Sequence, residues 1–99
     1  MVNIETPLTE STFYVLMALY VKNTFGTEIV EYIKVQSQNR IKMGPGTLYS
    51  ILAKFEKDKW IKEIAIEGRK RTYSITQVGI EKYEIELKRL EELIKVAQS

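Results

Sequence analysis

The 99-residue sequence contains neither cysteine nor histidine. Without cysteine there is no disulfide framework and no thiolate nucleophile. Without histidine the commonest general base is missing, and with both absent so are the commonest transition-metal ligands. Neither a Walker loop nor a GxGxxG pattern occurs. These absences exclude Ser-His and Cys-His catalysis and predict no metal site and no cofactor.

An enzyme could still rely on carboxylates. The acidic residues, however, are interspersed with lysines at the spacing of exposed helix faces, which indicates solvated salt bridges. The sequence therefore predicts that the protein is not an enzyme.

Long apolar runs are also missing. None reaches the roughly 18 residues typical of a membrane span, and the start "MVNIETPLTES" has no signal-peptide pattern. We therefore expect a cytoplasmic protein of one domain with no membrane partner. Because so short a chain buries only about 60–65 % of its unfolded surface, a dimer interface would add useful burial.

The net charge is only +2, but the charge is unevenly distributed. Residues 1–33 have one lysine and four glutamates, and residues 76–99 have four basic and five acidic side chains. Residues 34–71 have ten basic and four acidic side chains. A contiguous basic middle is typical of a nucleic-acid-binding surface, although a chance cluster in a small protein is the alternative.

Two helices are predicted before residue 40. Thr9 is a candidate N-cap and Glu10 suits the first turn of a helix that continues through the apolar run at 13–21. A helix that is apolar all round needs cover on more than one side, which hints at a second chain. Gly26 then interrupts the helical pattern, and Thr27 is predicted to cap the second helix.

The third helix is predicted to begin near Pro45 or Gly46, after the loop "NRIKMGPG". Proline suits the first turn of a helix, and the flanking Gly44 and Gly46 allow a close, sharp approach to an outside surface. Apolar residues at i, i+3, i+4 and i+7 predict the core face: Leu48, Ile51, Leu52 and Phe55. The opposite face is small, polar and basic: Tyr49, Ser50, Ala53, Lys54 and Lys57.

The segments "WIKEIAI" and "RTYSI" are rich in β-branched and aromatic residues and predict a β-hairpin with Gly68 near the turn. Thr76 is predicted to cap a last helix about 30 Å long. Its apolar residues have heptad spacing: Ile80, Tyr83, Leu87, Leu90, Ile94 and Ala97. We expect part of this seam to pack on a partner chain, the alternative being that it folds back on its own domain.

This order predicts a mainly α fold with a two-stranded β-hairpin, arranged as a winged helix-turn-helix plus a long C-terminal helix. Residues 1–75 would form the DNA-binding domain and residues 76–99 the dimerisation helix, within one compact unit. A helix about 10–12 Å across fits the major groove, about 12 Å wide. The hairpin would then lie along the backbone or in the next minor groove.

The stretches "GPGTLYSILAKFEKDKWI", "GRKRTYSIT" and "VGIEKY" resemble the PadR family of bacterial transcriptional regulators, in its short form with a single C-terminal helix. The resemblance implies sequence-specific binding of double-stranded DNA by a homodimeric repressor at a pseudo-palindromic operator. It also implies that the last helix and the first hold the dimer together. Two departures are visible: Phe25-Gly26-Thr27 replaces a frequent His-Gly-Tyr, and Lys59 replaces a frequent glycine.

A small apolar or aromatic effector at the dimer centre stays a hypothesis. In multidrug-sensing members of the family an aromatic residue of the last helix, typically tryptophan, helps to hold flat ligands. The only tryptophan here is Trp60, at the root of the wing.

The predicted DNA-contacting residues precede the third helix, lie on it, or form the wing: Arg40, Lys42, Thr47, Tyr49, Ser50, Lys54, Lys57, Arg69, Lys70 and Arg71. Two of them have structural alternatives, since Thr47 could be a helix cap and Tyr49 could pack on the core. The predicted dimer interface comprises Phe13, Leu16, Tyr20, Tyr83, Leu87, Leu90 and Ile94. The competing function is a winged-helix module that binds proteins and does not read DNA.

Overall fold

The computed structural model describes residues 7–99 as four helices and one three-stranded antiparallel sheet. Residues 1–6, which the predicted first domain includes, lie outside the described residues. The elements in order are α1 Glu10–Val21, β1 Thr24–Phe25, α2 Gly26–Gln36, α3 Pro45–Lys57, β2 Ile61–Glu67, β3 Lys70–Ile75 and α4 Gln77–Gln98. The predicted fold class, with its hairpin and long last helix, is confirmed.

The short strand β1 was not predicted. It pairs with β3 through Thr24 opposite Tyr73 and Phe25 opposite Thr72, so the sheet has the order β1-β3-β2. Two residues are too few to show a period, which is why the sequence predicted only the hairpin. The extra pairing attaches the wing to the connection between α1 and α2.

The prediction that Thr27 caps α2 is wrong. The helix begins at Gly26, and Phe25 is the N-cap residue without a side-chain hydrogen bond. The first turn is held by Glu28 instead, because Glu28 accepts hydrogen bonds from the Thr24 hydroxyl at 2.6 Å and from the Lys22 ammonium at 3.2 Å. These contacts, the Thr24 bond foremost, lower the pKa of the Glu28 carboxyl.

The core is built around α1, as its apolar run predicts. Thr9 caps the helix by accepting from the Thr12 amide at 3.1 Å, and Val15 and Leu16 are fully buried. Leu16 was predicted to lie in the dimer interface, but it packs inside this one chain and has no surface left for a partner. Tyr20, by contrast, is 42 % exposed at the end of the helix.

The helix α3 ends in a Schellman motif. The amide of Lys59 donates to the Glu56 carbonyl at 3.1 Å, and the amide of Trp60 donates to the Phe55 carbonyl at 2.9 Å. The motif requires a residue in the left-handed backbone conformation, and Lys59 adopts it with φ +64°. Glycine takes this conformation without the steric cost that a side chain pays, which explains why glycine is common here in the family that the sequence resembles.

The start of α4 is fixed against this same junction. Thr76, the predicted cap, accepts from the Gly79 amide at 3.2 Å, and its own amide donates to the Trp60 carbonyl at 2.9 Å. Its hydroxyl also reaches the Lys59 carbonyl at 2.6 Å. A Cβ atom on Gly79 would lie 2.2 Å from the Trp60 carbonyl oxygen, so only glycine allows the helix to approach this closely.

The heptad seam of α4 divides between two environments. Tyr83 and Leu90 are half-buried, whereas Leu87 and Ile94 are 39 % and 54 % exposed. The residue that is buried one turn after Tyr83 is Glu86, at 6 % exposure. For Glu86, the prediction that acidic residues lie on solvated faces is therefore wrong.

A buried carboxylate needs hydrogen-bonding partners. Arg89 provides them for Glu86, with its Nε at 3.1 Å from Oε1 and its Nη2 at 2.5 Å from Oε2. This hydrogen bonding in turn raises the pKa of the Arg89 guanidinium. The pair stabilises a charged residue on the face of α4 that packs against its own chain.

Candidate nucleic-acid interface

The exposed face of α3 is the one that the sequence predicts. Leu48, Leu52 and Phe55 are buried and Ile51 is half-buried, while four residues of the opposite face are exposed: Tyr49, Ser50, Lys54 and Lys57. The N-cap is Gly44, Pro45 occupies the first turn, and no side chain caps the helix. Thr47 is therefore not the cap; it lies exposed in the first turn, where helix amides favour an anion.

Tyr49 both packs and remains accessible, so its two predicted roles are compatible. A Cβ atom on Gly26 would lie 3.4 Å from the Tyr49 Oη, which places the phenol against the start of α2. Yet the residue is 55 % exposed. This leaves its hydroxyl at the surface between the two helices and the wing.

Around Tyr49 runs a cleft of about 280 Å³ between the start of α2, the helix α3 and the wing. Its lining is basic and aromatic: Phe25, Gly26, Thr27, Tyr49, Arg69, Lys70, Arg71 and Tyr73. Sequence reasoning missed Phe25, Thr27 and Tyr73, because only the β1–β3 pairing brings them to this surface. We call this the α3–wing cleft.

The α3–wing cleft continues along α3 into a neighbouring depression of about 270 Å³. This depression is lined by Tyr49, Leu52, Ala53, Glu56, Arg69, Arg71 and Tyr73. Arg69 and Arg71 line both parts, so they are the cations that connect the exposed face of α3 to the wing.

The three basic residues of the wing do not form one cluster. Arg69 lies in the two-residue turn after Gly68, whose φ of +63° suits glycine. Lys70 and Arg71 alternate across the strand. The Lys70 ammonium lies 4.3 Å above the Phe25 ring, whereas the Arg71 Nε lies 3.5 Å from the Glu63 Oε2. Of the two strand residues, only Arg71 reaches both parts of the cleft.

Arg40 is engaged within the chain. Its guanidinium donates to both carboxylate oxygens of Glu10, at 2.9 and 2.5 Å, which joins the loop before α3 to the start of α1. The bond raises the pKa of Arg40 and lowers that of Glu10. A structural role thus accounts for Arg40 without DNA, whereas Lys42 in the same loop is simply exposed.

The ion pair that Lys54 forms within the chain is weaker than that of Arg40. Its ammonium lies 3.0 Å from the Asp58 carboxylate one turn along α3, and its side chain is 75 % exposed. Such surface pairs contribute little, so a phosphate could replace Asp58 at small cost.

Two further findings concern metal sites and membrane spans. Over residues 7–99, no group of three or more potential metal-ligating side chains comes together. Of the helices in that same range, none is long and apolar enough to cross a membrane.

The sequence model of the Transcriptional regulator PadR-like family matches residues 15–85, which extend from α1 into α4. The chain belongs to this family. It is accordingly a transcriptional regulator, a function that implies DNA binding and not enzymatic catalysis. The family assignment that "GPGTLYSILAKF" and the wing suggested is confirmed.

Solved PadR-like and related regulators share the fold. A transcriptional regulator from Clostridium thermocellum is 30 % identical, with a TM-score of 0.78 over 89 % of this chain and 86 % of that one. A PadR family regulator from Clostridium difficile R20291 is 21 % identical, with a TM-score of 0.77 over 91 % and 96 %. A Streptococcus transcriptional regulator is 23 % identical, with a TM-score of 0.76 over 95 % and 96 %. A search of curated proteins found no match.

The two glycines at the start of α3 have no intramolecular explanation. Neither Gly44 nor Gly46 has a positive φ, and a Cβ atom on either would meet nothing within 4 Å. In this PadR-like chain the fold itself therefore does not need them. Open space in front of α3 agrees with the prediction that they allow close approach to an outside surface.

We expect Gly46→Ala to stabilise the protein and weaken its DNA binding. Alanine in a helical turn with open space should raise the free energy of unfolding by about 0.5–1 kcal/mol. The added methyl group would at the same time hold the DNA backbone away. Urea denaturation and fluorescence anisotropy with labelled DNA measure the two effects. A stabilised variant with unchanged DNA affinity would show that Gly46 is not needed for close approach to DNA.

Proposed function

We propose that this regulator is a homodimeric repressor that binds a pseudo-palindromic operator in the cytoplasm, with α3 in the major groove and the wing on the DNA backbone. The observation that carries the proposal is the α3–wing cleft. There Tyr49, Arg69 and Arg71 connect the exposed face of α3 to the wing in one basic and aromatic surface.

The two parts of this surface would have different tasks. Arginine and lysine contacts to phosphates supply affinity that does not depend on sequence, whereas side chains in the groove distinguish bases. Arg69 and Arg71 would serve the first task. The exposed residues of α3 would serve the second, with Lys54 also within reach of a phosphate: Thr47, Ser50, Lys54 and Lys57.

Replacing Arg69 and Arg71 with glutamine should weaken binding to DNA of any sequence. Each lost phosphate contact should reduce the slope of log K against log salt, by about 0.9 where the cation contributes a full charge. Fluorescence anisotropy at several salt concentrations measures both quantities. The matched control is Lys88→Gln with Lys95→Gln, which removes the same charge from exposed positions on α4.

An equal loss in the control would mean that overall charge, and not the wing, governs binding. If the unmodified protein bound no genomic fragment even at low salt, the protein-interaction module would become the better explanation.

The homodimer is supported by apolar side chains that this chain leaves uncovered. On α4, Leu93 and Val96 are 55 % and 70 % exposed, in addition to Leu87 and Ile94. Val21, at the end of α1, is 59 % exposed. Exposed apolar patches on small proteins commonly mark interaction sites. We infer that, in the dimer, the second half of α4 of one copy packs against the end of α1 of the other.

The variant Leu87→Glu/Ile94→Glu should be monomeric, because it places two charges in the seam that would be buried between chains. Sedimentation velocity measures the change, and affinity for a palindromic operator should fall with it. Lys88→Glu/Lys95→Glu is the control, because its positions lie one residue further along, roughly 100° around the helix. Dimers that persist in the first variant would place the interface elsewhere.

The proposal also includes a flat aromatic effector that binds at the dimer interface. The Phe13 and Tyr83 rings stack with their centroids 5.2 Å apart, and Tyr83 stacks on Tyr20 at 4.0 Å. This row of rings ends at the exposed Tyr20, beside the surface that we assign to the dimer. A planar phenolic compound could continue the stack and release the DNA.

Calorimetry with phenolic and planar aromatic compounds tests the effector. Binding heat should appear and should be lost in Tyr20→Ala, and thermal unfolding would verify that this variant is folded. Trp60 fluorescence is a poor reporter, because that indole stacks on Phe55 at 5.0 Å, at the root of the wing. If no compound gives heat, the protein is a constitutive repressor.

A further inference from the structure

We propose that Glu63 is an internal counter-ion that competes with DNA phosphates for Arg71 and thereby holds down the affinity for DNA. Glu63 is in this sense a positioning residue, since it acts through Arg71 and does not itself bind DNA. The inference rests on the proposed function, because it assumes that the α3–wing cleft faces DNA.

The strand register places Glu63 next to Arg71, one of the residues that line the cleft. Glu63 lies directly opposite Tyr73, and residues opposite one another in a sheet share a face. Arg71 is two residues from Tyr73 on β3 and is therefore on that face as well. A β-bulge follows between Glu63 and Ala65, where the extra residue bends the strand.

The contact between the two charges is close but incomplete. The Glu63 Oε2 atom is buried, lies 3.5 Å from the Arg71 Nε, and accepts no hydrogen bond from the described residues. The Glu63 side chain is 23 % exposed, whereas that of Arg71 is 60 % exposed. The Glu63 carboxylate is thus largely buried beside the guanidinium, and Arg71 remains accessible from outside.

The surroundings reinforce this arrangement. Burial, followed by the charge of Glu56, raises the pKa of the Tyr73 phenol, while hydrogen bonding to Arg71 lowers it. Glu56 also lines the neighbouring depression. One carboxylate therefore lies on the same surface as the two arginines that we assign to DNA phosphates, and a second lies against one of them.

This arrangement has a predictable effect on binding. A phosphate that approaches Arg71 meets a cation whose charge Glu63 already offsets in part, so the contact contributes less than a full charge to counterion release. Removing the Glu63 charge should therefore strengthen binding. It should do so at DNA of any sequence, because the contact is to the backbone and not to a base.

Glu63→Gln tests the inference, because it keeps the shape of the side chain and removes its charge. Affinity for a short random-sequence DNA duplex should rise by a factor of about two to five, the range of a partly exposed ion pair. The salt dependence should become steeper. Glu63→Ala should change both quantities in the same direction, and thermal unfolding would verify that each variant is folded.

Two comparisons separate this effect from a general change of charge. Glu67→Gln removes the same charge from an exposed position on the same strand, opposite Lys70, and should have a smaller effect. In an Arg71→Gln background, Glu63→Gln should have no more effect than Glu67→Gln. Unchanged or weaker binding by Glu63→Gln, or an effect that keeps its full size without Arg71, would overturn the inference.

The failure of the inference differs from the failure of the proposed function. If the unmodified protein binds the duplex with the expected salt dependence and Glu63→Gln binds equally well, only the role of Glu63 is disproved. If the unmodified protein binds no DNA at low salt, the proposed function fails and the inference fails with it.

Discussion

The close approach of α4 to the junction between α3 and β2 is the constraint on which the rest of the structure depends. Gly79 permits it, because any side chain there would collide with the Trp60 carbonyl. Thr76 then hydrogen-bonds to that same carbonyl and to the one before it. The helix α3 ends, the wing begins and α4 starts within this one small region. A dimer formed through α4 would therefore determine the placement of the DNA-binding surface.

The wing is held at its other side by the short strand β1. The pairing of Thr24 with Tyr73 attaches β3 to the segment before α2, and Glu28 receives hydrogen bonds from the same segment. The wing is consequently braced by α4 at its root and by the α1–α2 connection along its edge. Such bracing reduces the conformational freedom that a DNA contact would otherwise have to remove, which favours binding.

Local signals explain what could be predicted from the sequence. The caps Thr9 and Thr76, the start of α3 at Pro45 and its buried face depend on neighbouring residues only, and all are confirmed. The burial of Glu86 could not be predicted in this way, because it depends on which face of α4 meets α1. The same reasoning applies to the candidate site. Its basic residues were predictable from the sequence, whereas their grouping with Phe25 and Thr27 required the pairing of distant strands.

The charges of the cleft show why the overall charge says little about DNA binding. A net charge of +2 would not by itself indicate a nucleic-acid partner. Alternation along β3 directs Lys70 towards Phe25 and Arg71 towards Glu63. The field that a phosphate would meet is therefore set by the positions of a few side chains. A wing with three consecutive basic residues can in this way bind more weakly, and release more readily, than their number suggests.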